Sequence, residues 1–229
     1  MAQLELLSAG AVKPGLAQVI DGFLRETGHK VNVAFATAPE IRKRIGHDEA
    51  VDVVIAPPAL LDDLVKARKT TGEHVIVGRI GVGVMVRTGT ALPKITTVDE
   101  FRRSLLDTDS VVYNLASTGI YLETLFARLG IAAQLKTKTT RYPDAAAVLD
   151  HVSKGRGKEI GFGATTVIIE GISKGLMFVG PLPAEIQNYT TYAAMVTAQS
   201  AGASAPREFL DYLATDVAKA ILAEAGIQT

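Results

Sequence analysis

The sequence has no cysteine and no tryptophan, and aromatic residues fill only 6% of its 229 positions. Without thiols, disulfide frameworks, thiolate catalysis and cysteine-ligated zinc or iron–sulfur sites are excluded. Neither sign of charge is in surplus, since Lys+Arg and Asp+Glu each number 24. A neutral chain lacks the electrostatic footprint that draws a protein to nucleic acid or to an anionic membrane surface, so neither is expected as a partner. No apolar run approaches the ~20 residues of a membrane span, and no membrane insertion is expected. The four histidines, at 29, 47, 74 and 151, lack metal-ligand spacing, and no metal or cofactor is expected. Nucleophile-elbow, zincin and P-loop motifs are all missing. The chain presents no catalytic constellation, so a binding function is expected ahead of an enzymatic one.

What is present is an alternation of strand and helix. Leu4–Ala9 is a short apolar run, followed by a Gly-Ala-Val-Lys-Pro14 turn into a helix that carries Leu16, Val19, Ile20, Phe23 and Leu24 and stops at Gly28. Val31–Ala36 alternates as a strand, and Thr37-Ala-Pro-Glu40 has capping-box spacing before Ile41 and Ile45. Val51–Ala56 is a buried-strand run, and Pro57-Pro58 leads into another helix. Three strand–helix units in succession predict a parallel sheet with right-handed crossovers. Val75–Val86 is a long β-rich stretch in which Gly78, Gly81 and Gly83 serve a bend or close strand packing, because no helix follows to make a phosphate-binding loop.

The alternation then restarts. A second capping box, Thr97-Val-Asp-Glu100, opens a helix; Ser110–Tyr113 reads as a strand and Thr118–Leu129 as a helix stopped by Gly130. Strands are expected over Leu135–Thr140, Glu159–Gly163, Leu176–Val179 and Thr190–Ala198, with helices over Asp144–Lys154 and Thr165–Ile172. A final single helix from Ser204 carries Phe209, Leu213, Val217 and Ile221 at four-residue spacing and ends at Gly226. The fold class is α/β, with two doubly wound lobes joined by a hinge. Lobe I is expected to be discontinuous, residues 1–83 plus 187–229, and lobe II to be residues 84–186, with a ligand cleft between them.

Small, hydroxyl-bearing residues recur where a strand turns into a helix. Ser8-Ala9-Gly10-Ala11 follows the first strand, Thr37-Ala38 the second, Ser117-Thr118-Gly119 the first strand of lobe II, and Thr165-Thr166 a later one. Such junctions offer free backbone N–H groups, the positive end of a helix dipole and a hydroxyl donor. Ligands of open α/β sheets bind at these strand ends. Two facing sets would clamp a small anion. Helix capping is the competing role for each hydroxyl, and packing is the competing role for Tyr142 and Tyr121.

The chain resembles the type II periplasmic binding proteins, in particular their molybdate-binding-protein-like branch. The resemblance rests on Leu6-Leu-Ser-Ala-Gly-Ala-Val-Lys-Pro14, Val51-Asp-Val-Val-Ile-Ala-Pro57, Gly83-Val-Met-Val-Arg87, Ala116-Ser-Thr-Gly119, Glu159-Ile-Gly-Phe-Gly163, Thr191-Tyr-Ala-Ala-Met-Val196 and Phe209-Leu-Asp-Tyr-Leu213, in the family's order. It implies a monomeric hinge-bending trap for a small anionic solute, with an ABC permease as partner. Together with the junctions above and Tyr142, it gives as the expected ligand set Ser8, Ala9, Gly10, Ala11, Thr37, Ala38, Pro57, Ser117, Thr118, Gly119, Tyr142, Phe162 and Gly163. Two family hydroxyl positions fall on Ala11 and Phe162, which offer none, so a small organic acid with its apolar part against Phe162 is expected rather than molybdate. A sensor module or an enzyme on the same scaffold is the alternative. Met1-Ala-Gln runs directly into the first strand; a periplasmic place is expected if a leader was trimmed, and a cytoplasmic one if Met1 is the true start.

Overall fold

Strand and helix alternate from the first residues, as the spacing predicts. In the computed structural model, which describes Met1 through Thr229, β1 (Gln3–Ala9) leads through a 3-10 turn at Gly10–Val12 into α1 (Lys13–Thr27). Then follow β2 (Lys30–Ala36), α2 (Ala38–Gly46), β3 (Val53–Ala56), α3 (Pro58–Lys66) and the long β4 (Thr70–Arg87). The middle of the chain forms α4 (Val98–Asp107), β5 (Ser110–Asn114), α5 (Ser117–Arg128), α6 (Ala132–Leu135), β6 (Thr139–Tyr142), α7 (Ala145–Lys154), β7 (Glu159–Ala164), α8 (Thr165–Gly171) and β8 (Leu176–Pro181). The chain ends with β9 (Tyr189–Thr197), α9 (Ser204–Leu213) and α10 (Asp216–Glu224). Two units result: Met1–Ile80 with Thr190–Thr229, and Gly81–Tyr189.

In the first unit β1 pairs in parallel with β2 and with β3, and β3 pairs antiparallel with β9. The parallel register aligns Ala9 with Ala36 and Ser8 with Ile55, so the carboxyl ends of three strands share one edge. Leu16, Val19 and Phe23 are buried on α1 as their spacing predicts, and Phe23 packs edge-on against Phe209 of α9 at 5.1 Å. Each such side chain contributes roughly 2–3 kcal/mol when taken out of water.

In the second unit β5 lies between β6 and β7, parallel to both, and β4 pairs antiparallel with β7 and β8. Alternate residues serve two cores. Val111, Tyr113, Ile160 and Phe162 face Phe101, Leu122 and Phe126 of α4 and α5, whereas Val112 and Met85 face Val148, Val152 and Ile168 of α7 and α8. A sheet covered on both faces needs apolar residues on both sides of each strand, which is why Val111-Val112 and Val84-Met85 read as continuous apolar runs.

Two expectations are corrected. Leu135–Thr140 is not a strand: Leu135 ends α6, Lys136–Lys138 is a 3-10 turn, and β6 begins only at Thr139. The helix from Ser204 to Gly226 is two helices. The Thr215 hydroxyl donates to Tyr212 O at 2.7 Å and accepts from Ala218 N at 3.2 Å, closing α9 and opening α10 with one side chain. The four-residue stripe therefore does not continue as one face, and Val217 is left 60% exposed.

Gly78 has φ +146°, and a Cβ there would stand 2.5 Å from Ile227 Cγ2 and 2.8 Å from Gln228 O. That close approach lets Arg79 exchange backbone bonds of 2.8 and 3.0 Å with Gln228. Gly78→Ala is expected to lower the stability of the protein by about 2 kcal/mol or more, through backbone strain and displacement of the 227–228 segment. Urea unfolding would read this as a lower midpoint, and an unchanged midpoint would show that the segment is free to move aside.

Candidate functional site

Each helix start leaves four backbone N–H groups without intrahelical partners, and what satisfies them separates scaffold from site. Three helices are closed by side chains: Thr97 accepts from Glu100 N, Asp144 from Ala147 N, and Thr215 from Ala218 N. Of these, only α7 follows a parallel strand, β6; the starts after the other parallel strands are different. The 3-10 turn after β1, α2 after β2, α3 after β3, α5 after β5 and α8 after β7 have Ala9, Thr37, Pro57, Ala116 and Ala164 at their caps, none with a side-chain capping bond. Each unit thus has a set of open N–H groups at its parallel-strand ends, and α9 also starts without a side-chain cap.

Thr37 occupies a capping position and is followed by Glu40, yet its hydroxyl does not close the box. The hydroxyls of Ser117 and Thr118 stand on the first turn of α5 rather than at its cap, and neither bonds to another group of the protein. Thr118 is only 8% exposed. Gly10, half-buried, has nothing within 4 Å of where a Cβ would lie, so packing does not require a glycine there. Ala11, Ala38 and Pro57 are half-buried along the same edge.

Other expected site residues have different roles. Ser8 is fully buried and its hydroxyl turns to the Ala9 carbonyl at 3.2 Å; Ala9 is buried as well. Phe162 is fully buried between Phe101 and Phe126, at 6.0 and 6.2 Å, so it is a core residue and not the apolar wall of a ligand site. The alternation of β7 decides this, because position 162 faces the α4–α5 core. The Tyr142 hydroxyl is engaged with His151 Nδ1 of α7 at 2.7 Å, and Tyr121 donates to Ile186 O at 2.6 Å. Both tyrosines therefore fasten elements together. Gly119 allows a close approach: a Cβ there would fall 1.7 Å from Asn114 O, so only glycine lets the first turn of α5 settle on the end of β5. Gly163 is buried, and a Cβ there would make ordinary contact with Ile168 at 3.5 Å.

One residue of this edge is missing from the sequence reading. Asn114, the last residue of β5, is 8% exposed, and its Oδ1 accepts from Ala116 N at 3.1 Å. The readable signal is an asparagine ending a strand two residues before an uncapped helix start, where an Asx turn forms.

The electrostatics of the strand ends are those of dipoles rather than charges. Arg141 is held by Glu123 at 2.5 Å. Burial, reinforced by the Glu123 carboxylate, pushes the Tyr113 phenol up from its ordinary range. In a separate polar recess of the first unit, lined by Asp48, Glu49, Arg68, Lys69 and Gln199, both carboxylates are already paired. Lys69 pairs with Asp48 at 2.5 Å, and the bond from Arg44 holds the Glu49 carboxyl below its usual range.

The family model described as bacterial extracellular solute-binding protein matches residues 4–228. The chain belongs to this family. Among its relatives, an aconitate isomerase from a Pseudomonas species is 30% identical over 226 residues, covering 95% of this chain and 85% of that protein. The fold is that of type II periplasmic binding proteins. The periplasmic molybdate-binding protein of Azotobacter vinelandii is similar at a TM-score of 0.79 and 17% identity, with 99% of each chain covered. PEB3 of Campylobacter jejuni, in its L-phospholactate-bound structure, is similar at a TM-score of 0.77 and 14% identity, again with 99% of each chain covered.

The two capping boxes make a paired test of which helix starts are structural. Thr97→Ala is expected to cost ~1 kcal/mol, because it removes a capping bond. Thr37→Ala is expected to cost less than about 0.5 kcal/mol, since no such bond is lost. Urea unfolding of both variants checks this, and equal losses would mean that Thr37 caps α2 in solution.

Proposed function

We propose that this solute-binding protein captures a small organic acid, holding its carboxylates at the open helix starts of both units, and delivers it as a monomer to an ABC permease outside the cytoplasm. The observation that carries this reading is the division of helix starts into capped and open ones, with the unengaged hydroxyls of Thr37, Ser117 and Thr118 on the open ones. Uncompensated N–H groups and hydroxyls are donors only where an acceptor is supplied, and an anion supplies several at once. They need no surplus of Lys or Arg, which agrees with a net charge of zero. Ligand contacts from both units, and a hinge that lets them close, are part of the proposal. So are ligand roles for Gly10, Ala11, Ala38, Pro57 and Gly163.

Two features favour an organic acid over a tetrahedral oxyanion. Ala11 brings no side-chain donor, Ser8 turns its hydroxyl inward, and no tyrosine hydroxyl takes the place of Phe162. A dehydrated oxyanion with unsatisfied oxygens binds poorly. The 30% identical relative is named for aconitate, an organic acid.

That same relative favours a second reading, an isomerase acting on such an acid on this scaffold. The open strand ends would hold the carboxylates in either case, and the two readings separate by turnover.

Thermal shift and calorimetry with trans-aconitate, citrate, sulfate and molybdate test the proposal. An organic acid is expected to raise the melting temperature, with ~2.7 kcal/mol of stabilisation at 100 times its dissociation constant. Ser117→Ala and Thr37→Ala are each expected to weaken binding by roughly tenfold, the worth of a hydrogen bond to a charged group. Tight binding of molybdate or sulfate with none of the organic acids would sink the organic-acid reading. Interconversion of aconitate isomers, followed by NMR, would favour the isomerase over the receptor.

A further inference from the structure

The chain passes between its two units twice, at Ile80–Gly81 and at Tyr189–Thr190. At the first passage a glutamine grips β4 on each side. Within the first unit, Arg79 exchanges both backbone bonds with Gln228, and its Nε donates to the Gln228 Oε1 at 3.0 Å. The neighbouring Ile227, 1% exposed, anchors that segment in the core. Within the second unit, the side chain of Gln187 stands in for a partner strand. Its Oε1 accepts from Val82 N at 2.9 Å and its Nε2 donates to Val82 O at 3.0 Å. The same Oε1 accepts from Asn188 N at 2.8 Å, which holds the carboxamide to its own backbone. Val82 and Ile186 are buried in the α4–α5 core, and Tyr121 donates to Ile186 O, so this grip is fixed to the body of the unit. Only Ile80 and Gly81 lie between the two grips. The second grip also keeps residue 81 small, because a Cβ there would stand 3.3 Å from Gln187 Cδ and 3.2 Å from the Tyr189 ring.

We propose that Gln228 and Gln187 clamp β4 into its two units and confine bending at this passage to Ile80 and Gly81. A carboxamide suits the task because it carries a donor and an acceptor side by side, and so satisfies the N–H and the C=O of one residue as a partner strand would. Gripping a single residue, it holds Val82 firmly and leaves Gly81 ungripped. Hinges work in this way, with a few residues absorbing the backbone rotation while the segments on either side stay rigid. The inference rests on the hinge of the proposed function and gives that hinge a place in the chain.

A chain without cysteine accepts nitroxide labels cleanly at Asp62→Cys on α3 and Arg102→Cys on α4, one exposed position in each unit. Double electron–electron resonance reads the spread of distances between them, without ligand and with trans-aconitate, citrate, sulfate or molybdate. Ligand is expected to shift the distribution of the parent. Gln187→Ala releases the second grip and is expected to broaden the ligand-free distribution about twofold, because bending then extends past Val82. Gln187→Glu keeps an acceptor for Val82 N–H but loses the donor to Val82 O, and is expected to fall between the two. Hydrogen exchange separates a clamp from a general structural role. In Gln187→Ala the amides of Val82 and Asn188 are expected to exchange about tenfold faster, with those of α4 and α5 unchanged. A distribution as narrow as the parent's would overturn the inference, as would exchange that rises equally throughout the unit. If Gln187→Ala does not fold, Gln187→Glu carries the test, and a width equal to the parent's overturns the inference there. A parent whose distribution shifts with none of the four probes overturns the hinge of the proposed function and the inference with it. A parent that shifts while the variants match it overturns the inference alone.

Discussion

The carbonyl of Asn114 lies where a Cβ of residue 119 would be, and the second unit is arranged around that fact. A glycine at 119 lets α5 begin directly on the end of β5. The backbone N–H groups of the helix start are then fixed at the strand edge without a side chain closing them. Parallel pairing repeats the arrangement, because every parallel strand delivers its successor helix to the same edge. In the first unit the alignment of Ala9 with Ala36 does the same for the helix starts after β1, β2 and β3. Donor groups are therefore concentrated by topology, not by accumulation of charged residues.

Stability and binding use different ends of the same elements. Helices α4 and α10, which follow no parallel strand, are closed by threonines, and α7, which follows parallel β6, is closed by Asp144. Bulky side chains go into the two cores of the second unit, where Phe162 meets Phe101 and Phe126 and Val112 meets Val148. A surface built in this way suits a ligand recognised by its oxygens. Membership of the extracellular solute-binding family and 30% identity to an aconitate isomerase are both compatible with that chemistry.

Much of the scaffold was legible because its signals are local. Gly28 stopping α1, the capping box of Thr97 and Glu100, and the alternating runs of β1, β2 and β3 depend on neighbours within a few residues. Thr215 was equally local, yet the apolar stripe from Phe209 to Ile221 masked it: a four-residue spacing survives a helix break when the second helix starts at once. Within the candidate site, the positions of Thr37, Ser117 and Thr118 followed from the strand–helix punctuation. The engagement of their hydroxyls did not, since Thr37 and Thr97 sit in the same kind of box and only one of them closes it.

By itself, the sequence determined the α/β class and the placement of small and hydroxyl residues at strand ends, because period and punctuation are properties of short segments. Tertiary structure decided which of those residues face outward. Burial of Ser8 and Phe162 and capture of Tyr142 by His151 depend on which face of a strand a neighbouring helix covers. That choice is made by long-range packing, which no local pattern encodes.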